Sequence, residues 1–485
     1  MGLPDNRGRK SRCIFFQCND HHKLFATIIF LIVIVNCRDV QAEVKPTLDA
    51  YLHYNDNVTL APPGMEQSSI ITEIKPGLII EEDGRRFDAL VNYDVQLLHF
   101  AGDVSDDKVY HQLNADTTTT LVPELFYLDA RATYNQQFID PLGAISLDNL
   151  SLSDNIADVS TYTISPYVRQ RYGVTATGEY RIGYQNLTYH GDETISQSDT
   201  QIKTALATIE SGPRFDDLTW RLFYSYRNVK PDNNLDTTFQ LSYISLSHRV
   251  SPKLRLIGDF GYEDNYYARV DTSEVPSGAY WAAGFGWNPS IRTVMEAKFG
   301  ERYFGNTASF IFNHRTRRTT WQLEYLEDIL TTAQLQVDYQ DPQDPSLPPL
   351  PNPILSQTVQ VILLERFTFV FTGTTAKTVT SLRMYNDFRT YQEDNEEEEV
   401  LGSILDWRWN FQARTSMVLN AQWYQQKYTN MDRVDKTSRA NLSLERRIFR
   451  SMTGVISYGW LNRGSTDEAV QYDRNLISIG IQAEF

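Results

Sequence analysis

Cysteine is nearly missing from this chain: there are three in 485 residues, Cys13, Cys18 and Cys37. All three precede residue 42, so beyond it neither a disulfide nor a thiolate-bound metal can form. Missing too is any apolar run of the roughly 18 residues that a membrane-spanning helix needs. Basic side chains are outnumbered, 45 Lys and Arg against 61 Asp and Glu, for a net charge of −16. A chain this acidic does not read as a nucleic-acid partner. Histidine is sparse after residue 42: His53, His99, His111, His190, His248 and His314. None forms HExxH and no two stand at i, i+4, which leaves a zinc site without support. Neither a GxSxG nor a Walker sequence is present. The expectation is a chain that is not an enzyme and holds no cofactor and no metal. His190-Gly191-Asp192-Glu193 is the nearest approach to part of a Ser-His-Asp set, and the blander reading is a loop tip. The four glutamates at 396–399 could gather divalent cations, and are otherwise a solvated loop.

The N-terminal end carries a charge-then-apolar pattern. Arg7, Arg9, Lys10, Arg12 and Lys23 precede an apolar run of twelve residues at 24–35. That is short for a bilayer span and suits the h-region of a signal peptide. Val40-Gln41-Ala42 places small or apolar residues at −3 and −1 of a cleavage site. Residues 1–42 therefore read as a signal peptide removed after Ala42, with a retained signal anchor as the alternative. Cleavage would leave 39 basic and 58 acidic residues, a net of −19.

Residues 43–485 read as one domain with a strand period. Mean hydropathy is −0.41 although 28 Tyr, 24 Phe and 8 Trp are present. A transmembrane β-barrel reconciles the two, because only alternate residues meet lipid while aromatics gather at both interfaces. The last eleven residues show the pattern best. Phe485, Ala483, Ile481, Ile479 and Ile477 alternate with Glu484, Gln482, Gly480 and Ser478, and in a strand the two rows point to opposite faces. The soluble alternative is the last strand of a β-sandwich. Similar rows recur at 87–97, 126–135, 218–227, 291–303, 401–412 and 417–426, which disfavours that alternative.

Connections come in two kinds. Short ones fall at 122–124, 250–253, 288–290, 314–317, 413–415 and 449–451, several with Arg beside Ser or Thr. A further short junction is expected near Gly373, to fill a long gap between two of them. Long polar ones fall at 102–108, 140–160, 229–237, 264–278, 341–353, 393–399 and 429–437. Short turns alternating with long loops match periplasmic turns and extracellular loops. At roughly 25 residues per strand and connection the expectation is about 18 strands, within a range of about 16 to 22. The Pro-rich stretch 341–353 is stiffened towards polyproline II and reads as a surface loop or an inward constriction.

The polar rows nominate lumen-facing residues: Arg131, Arg221, Arg227, Arg302 and Arg408, with Asp88, Asp94, Asp129 and Asp406. Mixed signs can set pore selectivity or simply neutralise one another across the wall. Inward Gln, Asn, Tyr and Arg also suit sugar hydroxyls and acidic sugars.

One stretch resembles a known family. Its residues are Val44-Lys45-Pro46-Thr47-Leu48-Asp49-Ala50, Asn55-Asp56-Asn57-Val58, Ile74-Lys75-Pro76-Gly77-Leu78, Gly84-Arg85-Arg86-Phe87, His111-Gln112-Leu113-Asn114-Ala115 and 125–132 with Gln136-Gln137. Together they are similar to the outer-membrane β-barrel porin family associated with the PEP-CTERM/exosortase exopolysaccharide system. The resemblance covers about the first quarter of the chain and has no catalytic residues to transfer. It implies the outer membrane of a Gram-negative cell and support of exopolysaccharide export or solute passage. As for outer-membrane barrels generally, the resemblance implies that Phe485 would be the terminal signal for insertion. The implied partners are outer-membrane lipid, lipopolysaccharide, the barrel assembly machinery and exopolysaccharide export proteins. The rival expectations are a barrel enzyme acting on lipid or envelope polymer, and a plugged structural or adhesive barrel.

Overall fold

The computed structural model describes residues 42–340 and 359–485, apart from 103, 139, 147, 191–197, 233 and 270–274, and without the side chains of 338–340. The proposed signal peptide and the Pro-rich stretch 341–353 lie outside the described residues, save Ala42. From Glu43 onward the chain forms strand after strand. The first eight are β1 (Glu43–Asn55), β2 (Ser69–Asp83), β3 (Phe87–Phe100), β4 (Lys108–Val122), β5 (Phe126–Phe138), β6 (Ile156–Tyr172), β7 (Ala176–His190) and β8 (Thr200–Ser211). Then come β9 (Leu218–Pro231), β10 (Thr237–Ser251), β11 (Leu254–Asp264), β12 (Ser277–Ser290), β13 (Thr293–Arg302), β14 (Gly305–Arg315) and β15 (Thr319–Thr331). A helix, α1 (Thr332–Gln340), precedes β16 (Val361–Thr374), β17 (Thr378–Tyr391), β18 (Glu397–Gln412) and β19 (Thr415–Tyr428). The last three are β20 (Arg433–Arg447), β21 (Met452–Ser465) and β22 (Tyr472–Glu484).

Each strand pairs antiparallel with its sequence neighbours, and β1 also pairs with β22, closing a 22-stranded barrel. The count stands above the expected 18. The two-to-six-residue turns that join even-numbered strands to odd ones shorten the repeat to nearer 20 residues than 25. The junction expected near Gly373 is the turn between β16 and β17.

Closure explains why polar and apolar residues take turns. A ring has no unpaired edge, so every backbone group in the wall can be satisfied in a membrane. The outer row is apolar: Leu48, Leu52 and Tyr54 on β1 and Ile477, Ile479 and Ile481 on β22 are all exposed. Their neighbours Tyr51, His53, Gly480 and Ser478 face inward. Exposed aromatics mark both rims, with Trp287, Trp321 and Trp409 at the turn end and Tyr54, Tyr262 and Tyr266 at the loop end. The seam is tied by backbone and side chain. His53 shares hydrogen bonds with Ser478 Oγ (2.7 Å) on β22 and Glu73 Oε2 (2.8 Å) on β2. The Phe485 N–H donates to Pro46 O at 2.9 Å.

Gly480 is required at this seam. It pairs with Tyr51, and a Cβ there would stand 2.2 Å from the Tyr51 ring and 2.5 Å from Ala50 O. One of those neighbours is backbone, so the clash cannot relax by a rotamer change alone. Gly480→Val is expected to destabilise the barrel by about 1–3 kcal/mol. The midpoint of heat-modifiable gel migration should fall, while a Val in place of outward Ile479 leaves it nearly unchanged.

Candidate functional site

The inner wall is built by alternation, and the loop end is narrowed by two connections that fold inward. The first, between β5 and β6, carries apolar residues that a surface loop would not need. Ile145 and Leu150 are buried, and Leu150 packs with Val58, Ile71, Leu98, Phe100 and Leu476. Arginines from the far side of the seam hold it down. Arg474 on β22 makes a two-pronged pair with Asp148 (2.8 and 2.7 Å) and reaches Ser151 Oγ at 2.7 Å. Arg463 on β21 donates to the carbonyls of Pro141 (2.9 Å) and Gly143, and pairs with Asp435. Arg433 on β20 donates to Leu142 O at 3.1 Å, and Tyr472 donates to Ile145 O. Burial alone would raise the Asp148 carboxyl. The charge and hydrogen bonds of Arg474, with Arg439 nearby, outweigh it and hold Asp148 well below the usual carboxylate range.

The second inward segment is α1. Thr331 and Gln334 cap each other at its start, the Gln334 side chain accepting from Thr331 N–H at 2.8 Å and the Thr331 hydroxyl from Gln334 N–H at 3.3 Å. The segment leaves β15 and reaches Gln137 on β5 and Tyr189 on β7, whose hydroxyl donates to Gln336 at 2.6 Å. Those strands stand ten and eight places away around a ring of 22. Gln336 lies only five residues past the end of β15 and the nine helical residues span about 14 Å, so facing walls approach each other at this end, where Ile329 of β15 also meets Phe239 of β10. Ala333 and Val359 pack there on Val159, Leu187, Ile202 and Val229.

Below these two segments the wall is polar and half-buried. A cavity of about 310 Å³ lies beneath the first, lined by Tyr51, His53, Glu73, Asp148, Arg439 and Arg474 among others. Further round, Tyr127 and Tyr167 stack with ring centres 5.0 Å apart, and the Arg181 guanidinium lies 3.9 Å from the Tyr167 ring centre. Phe223 stacks on Tyr243 at 4.9 Å, and Tyr243 meets Tyr280 edge-on at 5.7 Å. Gly261 sits between the last two strands' rings, where a Cβ would stand 2.5 Å from the Tyr243 Cβ. Register places these rings on the same face as the inward ion pairs.

The nine nominated residues stand on this inner face but form no common cluster. Arg131 pairs with Asp116, and Asp129 with Arg181 at 2.7 Å. Arg221 pairs with Glu210 at 2.8 Å and Arg408 with Glu445 at 2.7 Å. Arg302 is nearly buried, with two bonds to Glu263 of 2.6 and 3.0 Å. Asp406 accepts from Asn420. Asp94 lies against Gly77, Asp88 is exposed at the turn end, and Arg227 stands opposite Phe239. Phe485 is 67% exposed.

Two readings from the sequence change. The 396–399 run is not one solvated loop, because β18 begins at Glu397 and Glu398 is buried against Arg389 (3.0 Å), Tyr391 and Gln426. The stretch 140–160 likewise ends early, since β6 starts at Ile156. Sequence reading passed over Arg463, Arg474 and Asp148. The polar row of β22, continued two steps beyond Ser478, arrives at Arg474, and apolar residues in a nominally polar loop were the other signal. Near the loop end Ser160 Oγ and His190 Nε2 are 2.9 Å apart. Ser160 is buried, while Asp192 and Glu193 lie outside the described residues. Among the described residues no His, Cys, Asp and Glu side chains group as metal ligands.

No family model matches this chain, and no curated protein sequence matches it. Solved structures do share the fold. The ferric enterobactin receptor of Pseudomonas aeruginosa in complex with enterobactin superimposes with a TM-score of 0.50 at 10% identity, covering 92% of this chain and 82% of the receptor. The FrpB iron transporter of Neisseria meningitidis gives 0.50 at 9% identity, covering 91% and 82%. The fold is therefore that of these outer-membrane β-barrels, one named a receptor and the other an iron transporter.

Proposed function

We propose that this chain is a non-enzymatic outer-membrane barrel that passes polar, ring-shaped solutes of the saccharide class, and that it takes them up from its turn end. The observation that carries this is the inner wall: stacked aromatics with their guanidinium neighbours, Tyr127, Tyr167 and Arg181, then Phe223, Tyr243 and Tyr280. Flat apolar faces beside fixed donors and acceptors suit a sugar ring, whose CH face stacks while its hydroxyls bond. Tyr127, Tyr167, Arg181 and Phe223 lie in the turn-end halves of their strands, with Tyr243 at mid-strand and Tyr280 nearer the loop end. With short turns facing the periplasm, the wall is met first by solutes leaving the cell. That favours support of exopolysaccharide export over uptake, in line with the family resemblance of the first quarter of the chain. Outer-membrane lipid, lipopolysaccharide, the assembly machinery and exopolysaccharide export proteins are its proposed partners. The similarity to iron and siderophore receptors speaks to fold, and iron uptake is not part of this reading.

Planar-bilayer recording of the purified protein tests it. Oligosaccharide added on the turn side should reduce the current, and Tyr127→Ala with Tyr243→Ala should weaken that block about tenfold, the worth of one or two stacking contacts. No channel at any voltage would defeat the proposal and favour a closed structural barrel. Equal block by the double variant would remove the aromatic wall from it.

A further inference from the structure

The two rims carry opposite charge. Ten connections join even-numbered strands to odd ones at the turn end, and together they hold ten Lys or Arg against three Asp or Glu. Eleven connections stand at the loop end and hold one basic residue against 24 acidic ones. Overall the chain is acidic, so the basic rim runs against its own composition. All ten of those basic residues are exposed. Two of the three acidic ones, Asp216 and Asp217, are already engaged by Arg249 at 2.6 and 3.0 Å.

Apolar side chains stand exposed among these cations. Ile291, beside Arg292, is 102% exposed; Phe449, beside Arg450, is 63% exposed; Val250, three residues before Lys253, is 53% exposed. Trp287, Trp321 and Trp409 stand exposed just above, on β12, β15 and β18. A rim facing only water gains nothing from an uncovered isoleucine and phenylalanine. A rim seated at a headgroup layer buries them and places each guanidinium at phosphate depth.

We infer that the turn-end rim is a collar for anionic phospholipid headgroups, which holds the barrel by its periplasmic leaflet. The inference rests on the outer-membrane reading above. Attraction is of the shared phosphate chemistry, and the apolar residues between the cations commit it to lipid rather than to an acidic glycan.

Tryptophan quenching by brominated lipid tests the collar on the full chain in nanodiscs. Brominated phosphatidylglycerol should quench more strongly than brominated phosphatidylcholine at equal mole fraction, with local enrichment of about fivefold that shrinks with salt. The variant R292Q/R317Q/R318Q/R450Q changes exposed turn residues outside the inner wall. It should still insert and show enrichment near onefold. Insertion with equal quenching by both lipids would overturn the collar while leaving the barrel standing. Failure of the wild type to be quenched by either lipid would overturn the membrane reading as well. Binding to purified peptidoglycan that the variant abolishes, with no lipid preference, would assign the rim to the glycan and overturn the inference.

Discussion

R463A/R474A is expected to open the barrel and weaken it together. The two arginines are 1% and 2% exposed in their side chains, and between them they hold the β5–β6 connection against the seam strands. Removing Arg474 leaves Asp148 buried with only Arg439 in reach, at 4.0 Å. Removing one partner of a buried pair costs about 3–5 kcal/mol, mostly from the stranded charge. Removing Arg463 frees two carbonyls of the same connection. Single-channel conductance should rise severalfold, because the segment that narrows the loop end loses its two buried guanidinium anchors and keeps contacts such as those of Arg433, Tyr472 and Leu150. Thermal stability in detergent should fall in the same variant. Arg474→Lys keeps the charge but not the two-pronged geometry, and should fall between wild type and the double variant. Unchanged conductance in R463A/R474A would mean that the connection does not narrow the path.

Acid should act on the same contact. Asp148 is depressed in the folded protein, so it binds fewer protons there than in the unfolded chain. Its contribution is complete above the ordinary carboxylate pKa, declines as pH falls below about 4, and is gone only once pH has passed its depressed folded-state value. Conductance of the wild type should stay flat from neutral pH through about 4 and rise only well below it, where the folded-state carboxyl itself takes a proton. In R474A the acid-induced rise should be absent, since the connection is already loose.

Asp387→Ala is the second large effect. Asp387 on β17 is fully buried and holds two arginines, Arg366 on β16 (2.8 and 2.7 Å) and Arg389 two residues along its own strand (3.2 Å). Arg389 is itself held by Glu398 on β18, so one carboxylate ties three adjacent strands. Its loss leaves two guanidinium groups competing for what remains, at a cost of about 3–5 kcal/mol. The heat-modified gel form should appear at markedly lower temperature, and D387E should recover part of the loss. A D387A barrel with the wild-type midpoint would show that the charges are satisfied elsewhere. The same reasoning predicts little from Arg408→Ala: its Glu445 contact is half-exposed, where such pairs are worth about 0–1 kcal/mol.

Much of the wall was legible residue by residue. Ile477, Ile479 and Ile481 alternate with Ser478, Gly480 and Gln482, and closure of β22 on β1 follows that alternation, because a one-residue slip would turn every isoleucine inward. Strand number was less legible, since it depends on the length of connections that carry no periodic signal. The inward connections were harder still. Asp148 and Arg474 are 326 residues apart, and nothing local marks one as the other's partner.

The sequence alone determined that this chain is a wall with an oily side and a wet side, because a period of two is a property of neighbouring residues and the strand geometry acts on it directly. The opposite charges of the two rims needed the strand assignments as well, because connections of two, four and five residues stand at the loop end while one of six stands at the turn end. Tertiary structure alone decided that the wall closes at 22 strands, that α1 bridges to facing strands at the loop end, and that buried arginines pin one connection over the cavity. Those outcomes depend on contacts between strands far apart in the chain, where the energy of a buried ion pair is settled by three-dimensional closure and not by local spacing.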